Sequence, residues 1–368
     1  MNPMLKFFND LFTKRNSLGN DPLLGALLEA QRLIDGMVKG GKVPGLALTV
    51  IKEGAVLLQK GFGYADLALK SPISPSSTLF RTASVSKPIA ASALAIMVSE
   101  QTIDLDASFY EYVPYFPKKE YDFTLRQLAS HTAGIRSYSG MEYRLNKPFG
   151  IKEGIEVFKA DALLFEPGTD YHYNSYDWVL VSLAMQEASG LPFQDYVKAK
   201  VLEPLDMSNT MPEPTLQGPI SDTAHQPLAT FYSKSQGGFR TAAPVNNLFK
   251  LAGGGYLSTS EDIAKLGQAY LQGKIADHGV ISQFLTAMEV NGISTYYGLG
   301  WQVSRDAKGR PYYGHVGNGV GGYSNFFVYP EERMVFAILV NCTDPKIQEV
   351  LDQLMGLLID LGAESKSV

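Results

Sequence analysis

Cysteine is nearly absent from this sequence: one, Cys342, stands among 368 residues. No disulfide can close within the chain, and no zinc site can be built on cysteines. Cys342 follows the apolar run Met334 to Val340. A lone cysteine there is more readily a small apolar residue than a nucleophile. Basic clusters are missing too. No run of Lys or Arg exceeds two residues, and 32 basic residues face 37 acidic ones, a net charge of −5. That balance argues against nucleic acid as a partner, because neutralising phosphates takes a basic face. No apolar stretch reaches the roughly 18 residues of a membrane helix, so no transmembrane segment is expected. The 5 histidines show no His-Glu-x-x-His spacing, and neither a metal nor a cofactor is expected. Gly253-Gly254-Gly255 precedes a helix signal, but no Gly-Lys-Ser/Thr follows to hold a phosphate. No Gly-x-Ser-x-Gly elbow occurs, which leaves His131 of Ser130-His131 as a structural residue.

The first stretch, Met1 to Asn16, mixes Phe7, Phe8, Leu11 and Phe12 with Lys6, Asn9, Asp10, Lys14 and Arg15. It is too broken for a signal-peptide core and has no small-residue cleavage site. The chain reads as cytoplasmic, or as periplasmic if a signal peptide had been removed. Residues 1–20 read as an extension, and 21–368 as one domain.

What is present is a globular composition, 45% hydrophobic and 19% charged, with 35 Gly and 20 Pro to make turns. Apolar spacing predicts a helix over Pro22 to Lys39. Pro44 to Ile51 and Ala55 to Gly63 read as strands joined by a Lys52-Glu53-Gly54 hairpin. From Pro88 to about Ala252 the signals are helical, over Ile89 to Val98, Phe123 to Ala129, Ile151 to Leu164, Trp178 to Ala188 and Phe193 to Leu202. Met211 to Thr241 reads as extended loop. Thr259 or Ser260 caps a helix running to about Gln272. Tyr297 to Ser304, Arg310 to Val316, Gly321 to Tyr329 and Met334 to Asn341 read as strands, and Ile347 to Leu361 as a last helix. The expected fold is α+β. An antiparallel sheet from both chain ends, flanked by helices, occupies 21–87 and 256–368, and a mainly helical part is inserted at 88–255.

Three stretches can carry chemistry. In Arg81-Thr82-Ala83-Ser84-Val85-Ser86-Lys87-Pro88, Ser84 and Lys87 are three residues apart and share a helix face. A serine hydroxyl needs a base to become a nucleophile, and Lys87 can serve if its pKa falls to roughly 7–8. The helix start adds free N–H groups and a positive dipole end for a developing oxyanion. The same residues equally suit a helix capped by Ser84 or Ser86 with a solvated lysine. In Tyr171-His172-Tyr173-Asn174-Ser175, a tyrosine near Ser84 can relay a proton to a leaving group. Alternatively the aromatics pack, and Asn174 or Ser175 caps the next helix. In Gly314-His315-Val316-Gly317-Asn318-Gly319, a strand-edge histidine followed by glycines suits close substrate approach, with the Asn318 N–H as an oxyanion donor. A sheet histidine before a tight turn would look the same.

Taken with Pro44-Gly45-Leu46-Ala47, Lys60 to Asp66, Leu128 to Ile135, Pro167-Gly168-Thr169, Glu203 to Met207, Ala252 to Thr259 and Tyr297 to Trp301, these stretches resemble the serine beta-lactamase-like family. That family includes class C beta-lactamases, D-alanyl-D-alanine carboxypeptidases and related esterases. Within it, Phe116 to Tyr121 and Ala229 to Ala252 look most like the mitochondrial beta-lactamase-like serine protease branch, known for peptidase activity and filament assembly. The resemblance implies Ser84 as acylated nucleophile, Lys87 as its base and Tyr173 as catalytic tyrosine. It makes Ser84 and Asn318 N–H groups the oxyanion hole, with Ser175, His315 and Gly317 against the substrate. Two positions depart from the family pattern. Tyr-Ser-Asn becomes Tyr173-Asn174-Ser175, and the third-motif lysine becomes His315. A penicillin carboxylate thereby loses a fixed cation, so beta-lactamase activity is expected to be weak at best. The expected function is serine hydrolysis of a small ester or peptide bond, without cofactor, with a homo-oligomer left open. The alternative is an inactive relative with a structural or assembly role. Tyr138 to Gly150 and Met211 to Pro244 are expected to line the cleft.

Overall fold

Gly45–Lys52 is apolar at nearly every position, and it forms strand β1, buried along its length. In this computed structural model, which describes residues 22–213 and 228–364, β1 sits inside a seven-stranded antiparallel sheet. The others are β2 (Ala55–Asp66), β3 (Ser71–Pro72), β4 (Gln302–Arg305), β5 (Pro311–Gly319), β6 (Gly322–Tyr329) and β7 (Met334–Val340), in the order β4-β5-β6-β7-β1-β2-β3. β1 and β7 join the two halves of the chain, with Thr49 opposite Ala337. The sheet from both ends of the chain is therefore as expected.

In the sequence, the helical part lies between the two segments that build the sheet. Its central helix, α1 (Ser86–Ser99), is buried at 11 positions, from Ser86 to Met97. A helix apolar all round belongs in a core. Trp178, Val179 and Leu183 of α2 (Tyr176–Ser189) are fully buried in the same core. Helix α3 (Ser260–Leu271) packs on β1, β6 and β7. Gly267 makes that approach feasible, since a Cβ there would lie 2.5 Å from Val335 and 2.9 Å from Phe326. Thr259 caps α3 by accepting the Asp262 N–H, as its sequence predicts. The helices Pro22–Lys39 and Gln348–Glu364 form a separate compact unit, packed on one another.

Some elements differ from the sequence expectations. The helix at Ile151 ends at Gly154, passes into a 3-10 turn at Ile155–Val157, and does not reach Leu164. Gly154 lies flat against Phe249, where a Cβ would come within 2.5 Å of that side chain. Tyr297 to Trp301 is a turn, because Gly300 has φ +81 and presses on the Trp178 ring. Met211 to Thr241 contains a hairpin, Tyr232–Ser235 with Gly238–Thr241. Its strands are largely polar and exposed, so they leave no hydrophobic alternation to read. Residues 1–20 and the 214–227 part of the predicted cleft loop lie outside the described residues. Among the described residues no helix is long and apolar enough to cross a membrane.

Candidate active site

The Ser84 turn is pinned before Ser84 itself is reached. Thr82 donates both its backbone N–H and its hydroxyl to the Tyr256 carbonyl, at 3.0 and 2.8 Å. The Ser324 hydroxyl of β6 donates to the Thr82 carbonyl at 2.6 Å. Ser86 Oγ accepts the Tyr256 N–H at 3.1 Å and donates to Thr82 Oγ1 at 2.9 Å. Neither Ser84 nor Ser86 caps α1; Val85 holds that position with no side-chain bond. Ala83 is held at φ +46, a left-handed conformation that side chains other than glycine avoid. Such conformations persist where the surroundings over-determine them, and they cluster at functional sites.

Ser84, Lys87 and Tyr173 meet in a closed ring of three hydrogen bonds. Lys87 Nζ lies 3.2 Å from Ser84 Oγ and 2.8 Å from the Tyr173 hydroxyl. The Tyr173 hydroxyl lies 2.8 Å from Ser84 Oγ. A fourth contact, from Lys87 Nζ to the Gly253 carbonyl at 2.9 Å, anchors the amine. The lysine is completely buried. Burial pushes its pKa down to about 7, with Asp177 opposing. A neutral amine has two N–H donors and one lone pair. It can give one N–H to Gly253 and one to Tyr173 while accepting the Ser84 hydroxyl proton. Tyr173 can then donate to Ser84 Oγ, and every polar atom of the ring is satisfied. Burial also raises the Tyr173 pKa, although 36% of the residue remains exposed, which tempers that push.

A buried polar layer supports the tyrosine. His131 Nδ1 lies 2.8 Å from Asp177 Oδ2, with both side chains inaccessible. Burial drives His131 down and Asp177 up, each toward its neutral form. The His131 ring lies 4.5 Å from the Tyr173 ring and 4.8 Å from Tyr297. Asn174 donates to Asp177 Oδ2 at 2.6 Å and accepts the Asp177 N–H at 2.8 Å, so it serves the start of α2. Ser175, not Asn174, reaches the cleft.

His315 is placed differently from the expected substrate contact. It is 1% exposed. Its Nδ1 lies 2.6 Å from the Val316 carbonyl, which can only accept, so Nδ1 carries the proton. Nε2 then accepts from the Tyr297 hydroxyl at 3.0 Å. Burial, first, and the nearby Lys87 push its pKa to about 3, so the ring is neutral. His315 offers the cleft neither a charge nor a free donor.

The cleft has a volume of about 360 Å³ and is lined by Ser84, Ser175, Asn318 and Gly319 among others. Gly317 backs onto the Ser84 turn: a Cβ there would lie 2.5 Å from the Thr82 carbonyl and 3.0 Å from the Ser84 nitrogen. The Gly317 to Gly319 edge of β5 therefore runs directly against the Ser84 turn, with Asn318 exposed at the cleft. Tyr138 and Tyr143 come from the expected first loop. The remaining wall is formed by residues that sequence reasoning missed, including Arg81, Asn247, Lys250, Thr343 and Asp344. Arg81 Nε and Nη2 hold the buried Glu213 carboxylate, and Nη1 donates to the Val320 carbonyl at 2.6 Å.

Known proteins carry the same fold. The sequence profile described as Beta-lactamase matches residues 30–358. The chain belongs to the beta-lactamase family. It is 27% identical to the mitochondrial serine beta-lactamase-like protein LACTB of Homo sapiens, over 78% of this chain and 69% of that protein. Solved structures share the family's architecture. The octameric penicillin-binding protein homologue from Pyrococcus abyssi superposes with a TM-score of 0.75 at 23% identity, over 91% of this chain and 77% of that one. The D-amino acid amidase from Ochrobactrum anthropi superposes with a TM-score of 0.78 at 22% identity, over 92% of this chain and 99% of that one. At these identities the two structures establish the fold alone.

Proposed function

We propose that this member of the beta-lactamase family is a serine hydrolase of small esters or amides, acting through an acyl-enzyme on Ser84. The closed hydrogen-bond ring of Ser84, Lys87 and Tyr173 is the observation that carries the reading, and the burial of Lys87, which brings its pKa down to about 7, supports it. In the first step Lys87 takes the Ser84 proton while Oγ bonds to the substrate carbonyl carbon. The Ser84 and Asn318 N–H groups face the resulting oxyanion; one such donor is worth about 2.7–4 kcal/mol where it has been removed elsewhere. The carbonyl then re-forms and the bond to the leaving group breaks. Tyr173 gives that group its proton and regains one from the Lys87 ammonium. Water repeats the sequence on the ester of Ser84, releasing the acid and restoring the serine.

The cleft volume of about 360 Å³ falls at the small end of the roughly 300–1,000 Å³ range of small-molecule sites. It suits a small substrate or the end of a chain better than an extended polypeptide. The neutral His315 leaves the third motif without a cation, which argues for weak turnover of penicillins. The test is hydrolysis of p-nitrophenyl butyrate by the parent and by Ser84→Ala. Turnover by the parent and its loss from a folded Ser84→Ala protein supports the reading. Retained turnover in that variant would sink it.

A further inference from the structure

Lys250 is a second buried lysine in the same cleft, and the Ser84 mechanism gives it no task. It is 3% exposed and lines the cavity that contains Ser84. An ammonium carries three N–H donors. Among the described residues Nζ has one hydrogen-bond partner, the Tyr143 carbonyl at 3.2 Å. Tyr138 and Phe249 place ring centroids 5.4 Å from it, cation–π contacts that attract the charge but offer its other N–H groups no oxygen or nitrogen acceptor. No described carboxylate pairs with it. The nearby Glu213 is held by Arg81 through two nitrogens and by Asn247 at 3.1 Å. A buried ammonium with open donors facing a cleft is costly unless an anion completes it.

On the reading of Ser84 as nucleophile, we infer that Lys250 is the specificity residue of this cleft, binding a carboxylate on the substrate being hydrolysed. The anion of choice is a single carboxylate, since one ammonium without a second free cation matches one charge, and the Arg81 guanidinium is already occupied. The carboxylate site thus lies on the wall formed by Tyr138, Tyr143 and Lys250, not at the third motif, where the buried His315 holds no charge. Burial, first, and the Arg81 charge bring the Lys250 pKa down to about 8, with Glu213 opposing. The site is therefore charged at neutral pH and discharges just above it.

The test compares kcat/KM for mono-p-nitrophenyl glutarate, which carries a carboxylate, with that for neutral p-nitrophenyl butyrate. The parent is expected to favour the glutarate by about tenfold or more, a difference of about 1.4 kcal/mol. The preference should fade as pH rises through about 8. Lys250→Met should bring the ratio to about one. A parent ratio of one, or an unchanged ratio in Lys250→Met, overturns the assignment. Should Lys250→Met fail to fold, the pH dependence of the parent ratio decides alone, and a ratio flat across pH 7–9 overturns it. Calorimetry on Ser84→Ala with glutaranilate and butyranilide separates this proposal from the hydrolase reading. Tighter binding of glutaranilate supports the Lys250 site even if the parent hydrolyses neither ester. Equal binding overturns the site while leaving ester hydrolysis untouched.

Discussion

The Nζ atom of Lys87 lies 2.9 Å from the carbonyl oxygen of Gly253. A carbonyl can only accept, so one N–H of the lysine is committed there in either protonation state. With a second N–H turned to Tyr173, the position left facing Ser84 is the lone pair once the amine loses its proton. In the proposed mechanism Gly253 thus aims the base, and burial brings its pKa down to about 7.

The first consequence is a pH profile. Lys87 acts as a base only when unprotonated, and its pKa is brought down to about 7. Activity should therefore rise with pH, with kcat/KM for a neutral ester falling about tenfold per unit below pH 7. A rising limb centred near 7 on p-nitrophenyl butyrate is expected. A limb at 4–5 would assign the base to a carboxylate, and a flat profile would remove Lys87 from the mechanism.

Tyr173 should matter in proportion to how badly the leaving group needs a proton. p-Nitrophenolate departs without one; an alkoxide or an amine does not. Tyr173→Phe is expected to lower kcat/KM by about 10²–10⁴-fold for an alkyl ester or amide, the usual range for general acid catalysis. The loss should be smaller for a p-nitrophenyl ester. Equal losses on both would show that Tyr173 only supports the ring through its bonds to Ser84 and Lys87.

Gly317 tests how closely β5 must approach the turn. A methyl group there meets the Thr82 carbonyl at 2.5 Å and the Ser84 nitrogen at 3.0 Å. Gly317→Ala should displace Ser84 and destabilise the fold by about 1–3 kcal/mol, the usual cost of overpacking. At Gly319 the added group would lie 3.2 Å from the Ala83 Cβ. Gly319→Ala should accordingly be the milder change. Thermal melts and ester turnover on both variants check the order, and a harmless Gly317→Ala would refute the contact.

These features differ in how far the sequence discloses them. Ser84 and Lys87 are legible because their relation is local: three residues on a helix start fix it. Tyr173 is legible once Pro167-Gly168-Thr169 sets the frame. The sheet is legible because β1 and β7 are apolar at nearly every position, and β6 is apolar over its second half, Phe326 to Tyr329. His315 is legible in place but not in condition. Its neutrality comes from burial and from Lys87, far away in the chain, and Tyr297 adds a hydrogen bond to Nε2. Lys250 is not legible at all. A lysine is solvated by default, and only the folding of Tyr138, Tyr143 and Phe249 around it removes the water. The hairpin at Tyr232–Thr241 escapes notice for the opposite reason, since polar exposed strands carry no period.

The most direct measurement is intact-mass spectrometry after treatment with a fluorophosphonate. The account predicts one adduct per chain, mapped to Ser84, absent from Ser84→Ala and forming more slowly as pH falls below 7. A folded protein that takes no label at Ser84, or one that labels equally well as Ser84→Ala, would contradict it.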